Sequence, residues 1–211
     1  MQRQNMKVYF LRHGETEWNR EKRIQGSTGW IDLTSDGVRV AEATRDGMLS
    51  KGLSFDRLYS SPYRRALHTA QIIGAGFGLE PVVDRRLHEI SFGPYEGTFY
   101  GEGRFADDNI RCCFKDPLNY ASREGCESFD DVLARVKDFF DMELAPLASR
   151  FSRVLVVAHG GVLRTVLRLA ANIPLEDFWK GAQPNCCAHI VDVTEGHVAL
   201  ESRAVEFSAT H

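Results

Sequence analysis

The run Val154-Leu155-Val156-Val157-Ala158 is apolar at five consecutive positions and rich in β-branched side chains. A strand with no polar face has to be covered on both sides, which is the situation at the centre of a parallel sheet flanked by helices. Val162, Leu163, Val166, Leu167 and Ala170 follow at helical spacing, so strand leads directly into helix. The same order recurs upstream. Val8–Leu11 reads as a buried strand, Phe55–Tyr59 as another, and Pro81-Val82-Val83 as a short edge strand. Helices are expected after Thr34 as N-cap (Val38, Ala41, Met48, Leu49, ending at Gly52) and after Ser61-Pro62 as cap and first position (Ala66, Ala70, Ile73, Phe77). A third begins at Ser128-Phe129-Asp130-Asp131 and continues through Phe139 and Phe140 towards Pro146. Ala188–Val193 and His197–Leu200 read as a hairpin around Glu195-Gly196, an antiparallel edge.

Strands alternating with helices give an α/β fold class, a three-layer α/β/α sandwich with a mostly parallel sheet. The 211 residues fit one catalytic domain over 1–211. Glu15 to Gly29 reads as loop. From about residue 90 to 127 the periodicity fades among Gly93, Pro94, Gly97, Gly101, Gly103 and Pro117, the pattern of a lid.

Composition sets the outer limits. With 43% apolar and 26% charged residues the chain is an ordinary globule, and a net charge of -3 argues against a general nucleic-acid binder. Met1 to Lys7 carry no apolar core, so no signal peptide is expected, and no run approaches the ~18 residues of a membrane span. Five cysteines without a C-x-x-C (Cys112, Cys113, Cys126, Cys186, Cys187) fit reduced thiols and a cytoplasmic location.

Two strands end alike: one runs into Arg12-His13-Gly14, the other into His159-Gly160-Gly161. In a doubly wound sheet both ends lie on the carboxyl edge, where ligands bind. A third arm, Ser60-Ser61-Pro62-Tyr63-Arg64-Arg65, follows the second strand. Arginines, imidazoles and the free N–H groups of a helix start favour an anion, and guanidinium forks match phosphoryl oxygens. The glycines at Gly14 and Gly160 would let backbone approach it closely. A neutral imidazole is a competent nucleophile towards phosphorus, and neighbouring arginines disfavour its protonation. The leaving oxygen needs a proton; Glu89, in Leu87-His88-Glu89-Ile90, is the candidate donor. Two other readings compete: a surface Arg-His pair, and a metal site of His13, His88, Glu89 and His159. Arginines at the same place repel a cation, and no H-E-x-x-H spacing exists. No metal and no cofactor are therefore expected. Glu89 could also be paired with Arg85 or Arg86.

Further blocks stand around these residues. Arg12-His13-Gly14-Glu15-Thr16 continues into Trp18-Asn19, Gln25-Gly26, Leu33-Thr34 and Gly37. Ser60 to Ala66 continues into Thr69-Ala70; Glu89 into Phe92-Gly93 and Glu96-Gly97; Gly125 into Glu127-Ser128 and Arg135. In this order, ending in Val157-Ala158-His159-Gly160-Gly161, the chain resembles the histidine phosphatase superfamily in its phosphoglycerate-mutase-like branch. The resemblance implies that His13 is the phosphorylated nucleophile and that Arg12, Arg65 and His159 hold the phosphoryl group. Asn19, Gln25, Gly26 and Gly160 would bind beside it, and Glu89 would be proton donor and later base. Arg65 is preferred to Arg64 because it precedes Ala66. Where the family pattern has Asp and Pro before Leu-Thr, this chain has Gly29-Trp30-Ile31-Asp32, one residue longer.

As the resemblance runs, mutases carry a basic lid and an aromatic hydroxyl three residues after the glutamate. Here that position is Phe92, and no paired arginine lies between Leu87 and Glu127. The expectation is a phosphomonoester hydrolase acting through phosphohistidine on a small phosphorylated metabolite, with neither nucleic acid nor membrane as partner. A cofactor-dependent phosphoglycerate mutase is the alternative, and a phosphate-binding module without activity the third reading. The residues leave a homodimer open.

Overall fold

In the computed structural model, which describes residues 5–194 and 196–208, one sheet is built from β1 (Met6–Arg12), β2 (Arg57–Ser60), β3 (Val82–Val83), β4 (Arg153–Ala158), β5 (Ala188–Thr194) and β6 (His197–Val205). The strand order is β3-β2-β4-β1-β5-β6. β4 therefore lies inside the sheet, parallel to both β1 and β2. β5 runs antiparallel to β1 and β6 antiparallel to β5, which is the expected antiparallel edge. Glu195, assigned to its turn, and the first four residues of the Met1 to Lys7 stretch lie outside the described residues.

The unbroken apolar run in β4 has the predicted cause. Val154, Val156 and Ala158 point to one face and Leu155 and Val157 to the other, all essentially inaccessible to solvent. The first set packs with Val8 and Phe10 of β1 against α5 (Phe129–Phe139) and α6 (Gly160–Ala171). The second packs with Tyr9 and Leu11 against α2 (Ser35–Ser50) and α3 (Arg64–Phe77). Each fully buried aliphatic side chain contributes roughly 1.5–3 kcal/mol, so both helical layers are held by the same strand.

Local signals held at several ends. Thr34 caps α2 by accepting from the Gly37 N–H at 2.9 Å. Ser128 and Asp131 form a reciprocal capping box at the start of α5. That helix continues through one wider turn, Phe140–Leu144, and a tighter one at Ala145–Leu147, where Pro146 has no N–H to give.

Four local readings are corrected. The stretch 15–29 contains one helical turn, α1 (Glu17–Arg20), held by a box between Thr16 and Asn19. Four residues are too short to show periodicity. The second strand spans Arg57–Ser60 instead of beginning at Phe55. α3 starts at Arg64, so Ser61-Pro62 lies before the helix. The segment 90–127 carries α4 (Asp108–Lys115), whose Asp107 side chain caps the Ile110 N–H at 2.9 Å. Only Ile110 and Cys113 of α4 are buried, too few for a visible apolar stripe.

Candidate active site

Register brings the motifs together. Arg12 stands opposite Ala158 in the β1–β4 ladder, and the His13 N–H donates to the Ala158 carbonyl at 3.0 Å. The residues after the two strands, His13 and His159, are thereby neighbours, with ring centroids 5.1 Å apart. Arg12, His13, Asn19, Gln25, Gly26, Arg65, Glu89 and Gly160 line one cavity of about 500 Å³. His159 is fully buried beside it.

His13 Nδ1 lies 2.7 Å from the Gly14 carbonyl oxygen. A carbonyl can only accept, so in the neutral ring Nδ1 carries the proton and Nε2 keeps its lone pair. Burial, with Arg65 and Arg12 nearby, holds the His13 pKa well below the ordinary histidine value. Burial, Arg65 and His13 do the same to His159. The His159 Nε2 is 2.7 Å from Ser61 Oγ, and its Nδ1 is buried without a partner.

Both arginines are anchored through neutral groups. Arg12 Nη1 donates to the Gln183 carbonyl at 2.5 Å. Arg65, fully buried, donates to the carbonyls of Thr28 at 2.7 Å and Gly26 at 2.9 Å. Neither forms a salt bridge among the described residues, although the Glu89 charge acts on Arg65, and the Nε of each is buried and unpartnered. Burial brings the Arg65 pKa down to about 10, so the guanidinium stays charged at neutral pH. A buried N–H without a partner costs about 1–3 kcal/mol, which an anionic ligand in this cavity would offset.

Glu89 is oriented by the start of α6. The Gly161 N–H sits 3.1 and 3.0 Å from its two carboxylate oxygens, and the Ile90 N–H donates to Oε1 at 2.9 Å. Thus the Gly161 N–H, expected to be free for a ligand, is taken by the chain's own carboxylate. Arg86 pairs with Asp84, Asp138 and Glu143, which leaves Glu89 unpaired with it.

Asn19 and Gln25 are held by their oxygens. Thr16 Oγ1 lies 3.0 Å from Gln25 Oε1 and 3.1 Å from Asn19 Oδ1, and Asn185 Nδ2 lies 3.4 Å from the same Asn19 oxygen. The two NH₂ groups remain as donors for an anion. Gly14 needs a different explanation from the expected one. A Cβ there would sit 2.9 Å from the Gly37 carbonyl and 3.2 Å from Leu33, so glycine lets β1's end pack on α2.

A family model described as the histidine phosphatase superfamily (branch 1) matches residues 8–206. The chain belongs to that superfamily. It is 32% identical over 204 residues to a putative phosphoserine phosphatase 2 of Hydrogenobacter thermophilus, spanning 95% of this chain and 94% of that one. It is 34% identical over 181 residues to a 2,3-bisphosphoglycerate-dependent phosphoglycerate mutase of Azorhizobium caulinodans, spanning 82% and 85%. A phosphoserine phosphatase of Entamoeba histolytica, solved in complex with 3-phosphoglyceric acid, superposes with a TM-score of 0.79 at 27% identity, over 97% of this chain and all of that one.

In this histidine phosphatase, sequence reading missed the residues that hold the site in place. Ser61 looked like a helix cap; its hydroxyl meets His159 and accepts the Tyr63 N–H at 3.3 Å. Glu96 accepts from Ser27 N and Oγ, both at 2.7 Å, and from Thr28 Oγ1 at 2.8 Å, fixing the loop whose carbonyls grip Arg65. Only its place in the Glu96-Gly97 pattern hinted at it. Asn185 donates to the His13 carbonyl at 2.9 Å from 172 residues away, with no local signal at all. Arg64 pairs with Asp32 and points outward; Asp32 also meets His68. Among the described residues, no three His, Cys, Asp or Glu side chains group as a metal-binding cluster.

Proposed function

We propose that this protein hydrolyses small phosphomonoesters through a phosphohistidine on His13. The observation that carries the reading is His13 itself. Its Nδ1 is tied to a carbonyl, its ring is held neutral, and two guanidiniums without a salt bridge among the described residues share its cavity. Nε2 attacks phosphorus while the ester P–O bond breaks. Arg12, Arg65, Asn19, Gln25 and the Gly26 and Gly160 backbone receive the phosphoryl oxygens, and His159 supports them through Nδ1. Glu89, as the general acid, gives a proton to the leaving alkoxide oxygen. Glu89 then takes a proton from water, whose oxygen attacks phosphorus as the N–P bond breaks and phosphate leaves. The segment 90–127 acts as the lid of a single catalytic domain.

A hydrolase is favoured over a mutase by the lid. Of the lid's basic residues Lys115 alone lines the cavity; Arg104, Arg111 and Arg123 are each paired with an acid, Glu102, Asp108 and Asp107, and stay outside it. Phe92 supplies no hydroxyl. The mutase reading has its own support in the Azorhizobium relative. We assign the enzyme to the cytoplasm, supported by five free cysteines; among the described residues no helix is long and apolar enough to cross a membrane.

The test is phosphate release from an aryl phosphate by wild type and by His13→Ala. Activity should vanish in the variant, and quenched wild-type turnovers should yield protein-bound phosphate that acid removes. Wild-type activity in His13→Ala, or acid-stable label, would remove the mechanism. Isomerisation of 3-phosphoglycerate in the presence of its bisphosphate, outpacing phosphate release, would make the mutase reading the better one.

A further inference from the structure

We propose that the outer half of the cavity is a subsite for a flat, apolar leaving group, so that phosphomonoesters of ring-bearing alcohols are the preferred substrates. The proposal rests on the phosphatase reading and adds the substrate class to it.

The cavity lining is of two chemical kinds. Beyond the phosphoryl-facing groups its wall is made of Phe92, Tyr100, Phe105, Phe114 and Trp179. Phe114 is the hub. Its ring centroid lies 4.9 Å from Trp179, 5.3 Å from Tyr100, 5.7 Å from Phe92 and 6.1 Å from Phe105. The angles between planes are 39°, 18°, 26° and 28°: Tyr100, Phe92 and Phe105 stack on Phe114, and Trp179 is tilted against it. A cavity wall made of clustered rings presents an apolar, polarisable surface against which a ligand ring can pack.

The wall is also held in place. The Trp179 indole N–H donates to the Cys113 carbonyl at 2.6 Å, tying the loop after α6 to α4. Arg164 donates to the carbonyls of Phe178, Lys180 and Gly181, each at 3.0 Å, and lies 5.5 Å from the Trp179 ring. A pre-ordered apolar surface gains from a ring without a further ordering cost.

The charges around this end are mostly committed. Arg23 pairs with Glu21 and donates to the Gly97 carbonyl at 2.8 Å. Arg164 is occupied by its three carbonyls. Lys115 lines the cavity from an exposed position at the end of α4. A substrate that is only a short hydroxy or amino acid would set its polar groups against carbon and leave most of the wall wet. Cavities of about 300–1,000 Å³ suit ligands larger than that.

The experiment measures binding in His13→Ala, where turnover cannot interfere, by calorimetry with 2-naphthyl phosphate, O-phosphoserine and inorganic phosphate. Naphthyl phosphate should bind at least about 10-fold more tightly than O-phosphoserine. Adding Phe114→Leu, which keeps bulk but removes the flat face, or Tyr100→Ala should shrink that preference while leaving inorganic phosphate affinity unchanged. Equal affinities for the two esters, or a preference that neither second change reduces, would overturn the subsite. Wild-type turnover of the same esters is read separately. Absence of phosphate release with the binding preference intact would remove the phosphatase reading and leave the subsite standing.

Discussion

Ser61 Oγ lies 2.7 Å from His159 Nε2, a hydrogen bond between two fully buried side chains that follow adjacent strands. It fixes the plane of the imidazole and leaves Nδ1 without a partner; in the mechanism proposed above that atom meets a phosphoryl oxygen. Ser61→Ala should therefore lower kcat more than it changes KM, by about 10-fold for the loss of one buried hydrogen bond near the reacting group. Ser61→Thr should restore most of it, because the hydroxyl returns. Steady-state kinetics on an aryl phosphate checks this, with circular dichroism to establish folding. An alanine variant with parental kcat would free His159 from any dependence on Ser61.

Gly161 is the second point at which a small change should be felt at the chemistry. A Cβ there would lie 2.6 Å from Glu89 Oε1 and 2.6 Å from Ile90 Cδ1. Alanine is a better helix former than glycine, so α6 itself would not suffer. The carboxylate would have to move. Gly161→Ala should reduce kcat by about 100-fold, the order expected when a catalytic group is displaced by around 1 Å. The buried Ile90 must shift as well, so the melting temperature should fall modestly, and kcat is read at a temperature where the variant is fully folded. Undiminished kcat would mean that Glu89 does not depend on this position.

Three buried histidines make stability depend on pH. Burial, together with nearby arginines, lowers the pKa of His13 and His159 well below the usual value, and that of His189 to about 4. Unfolded histidines titrate near ~6.5. A base whose folded pKa is depressed contributes stability that is fully present above the unfolded value. That stability is lost as pH falls towards the folded one, because the unfolded chain then binds the extra protons. Each such group acts at up to about 1.4 kcal/mol per pH unit in that window. The urea midpoint should therefore drop between pH 7.5 and pH 5. A flat profile over that range would show that these rings are not held neutral.

What sequence alone determined rests on short-range or strictly periodic physics. An apolar run without alternation needs cover on both faces, so β4 had to lie within a parallel sheet, and parallel strands put their following residues on one edge. Arg12, His13 and His159 were placed on one edge for that reason, whereas Arg65 was singled out from Arg64 only through the resemblance, because it precedes Ala66. Thr34 and Ser128 were legible because a cap acts within three residues. What only the tertiary structure decided depends on partners far away in the chain. Ser61 serves His159 from 98 residues away, and Glu96 steadies the Arg65 loop from 69 residues away. Glu89 fills the start of α6 across 72 residues, and Gly14 is glycine because α2 packs on it. None of these contacts leaves a local pattern, since each is set by how the layers meet. The aromatic wall is of the same kind: Phe92, Tyr100, Phe105, Phe114 and Trp179 come from separate turns, and only the closed fold makes them one surface.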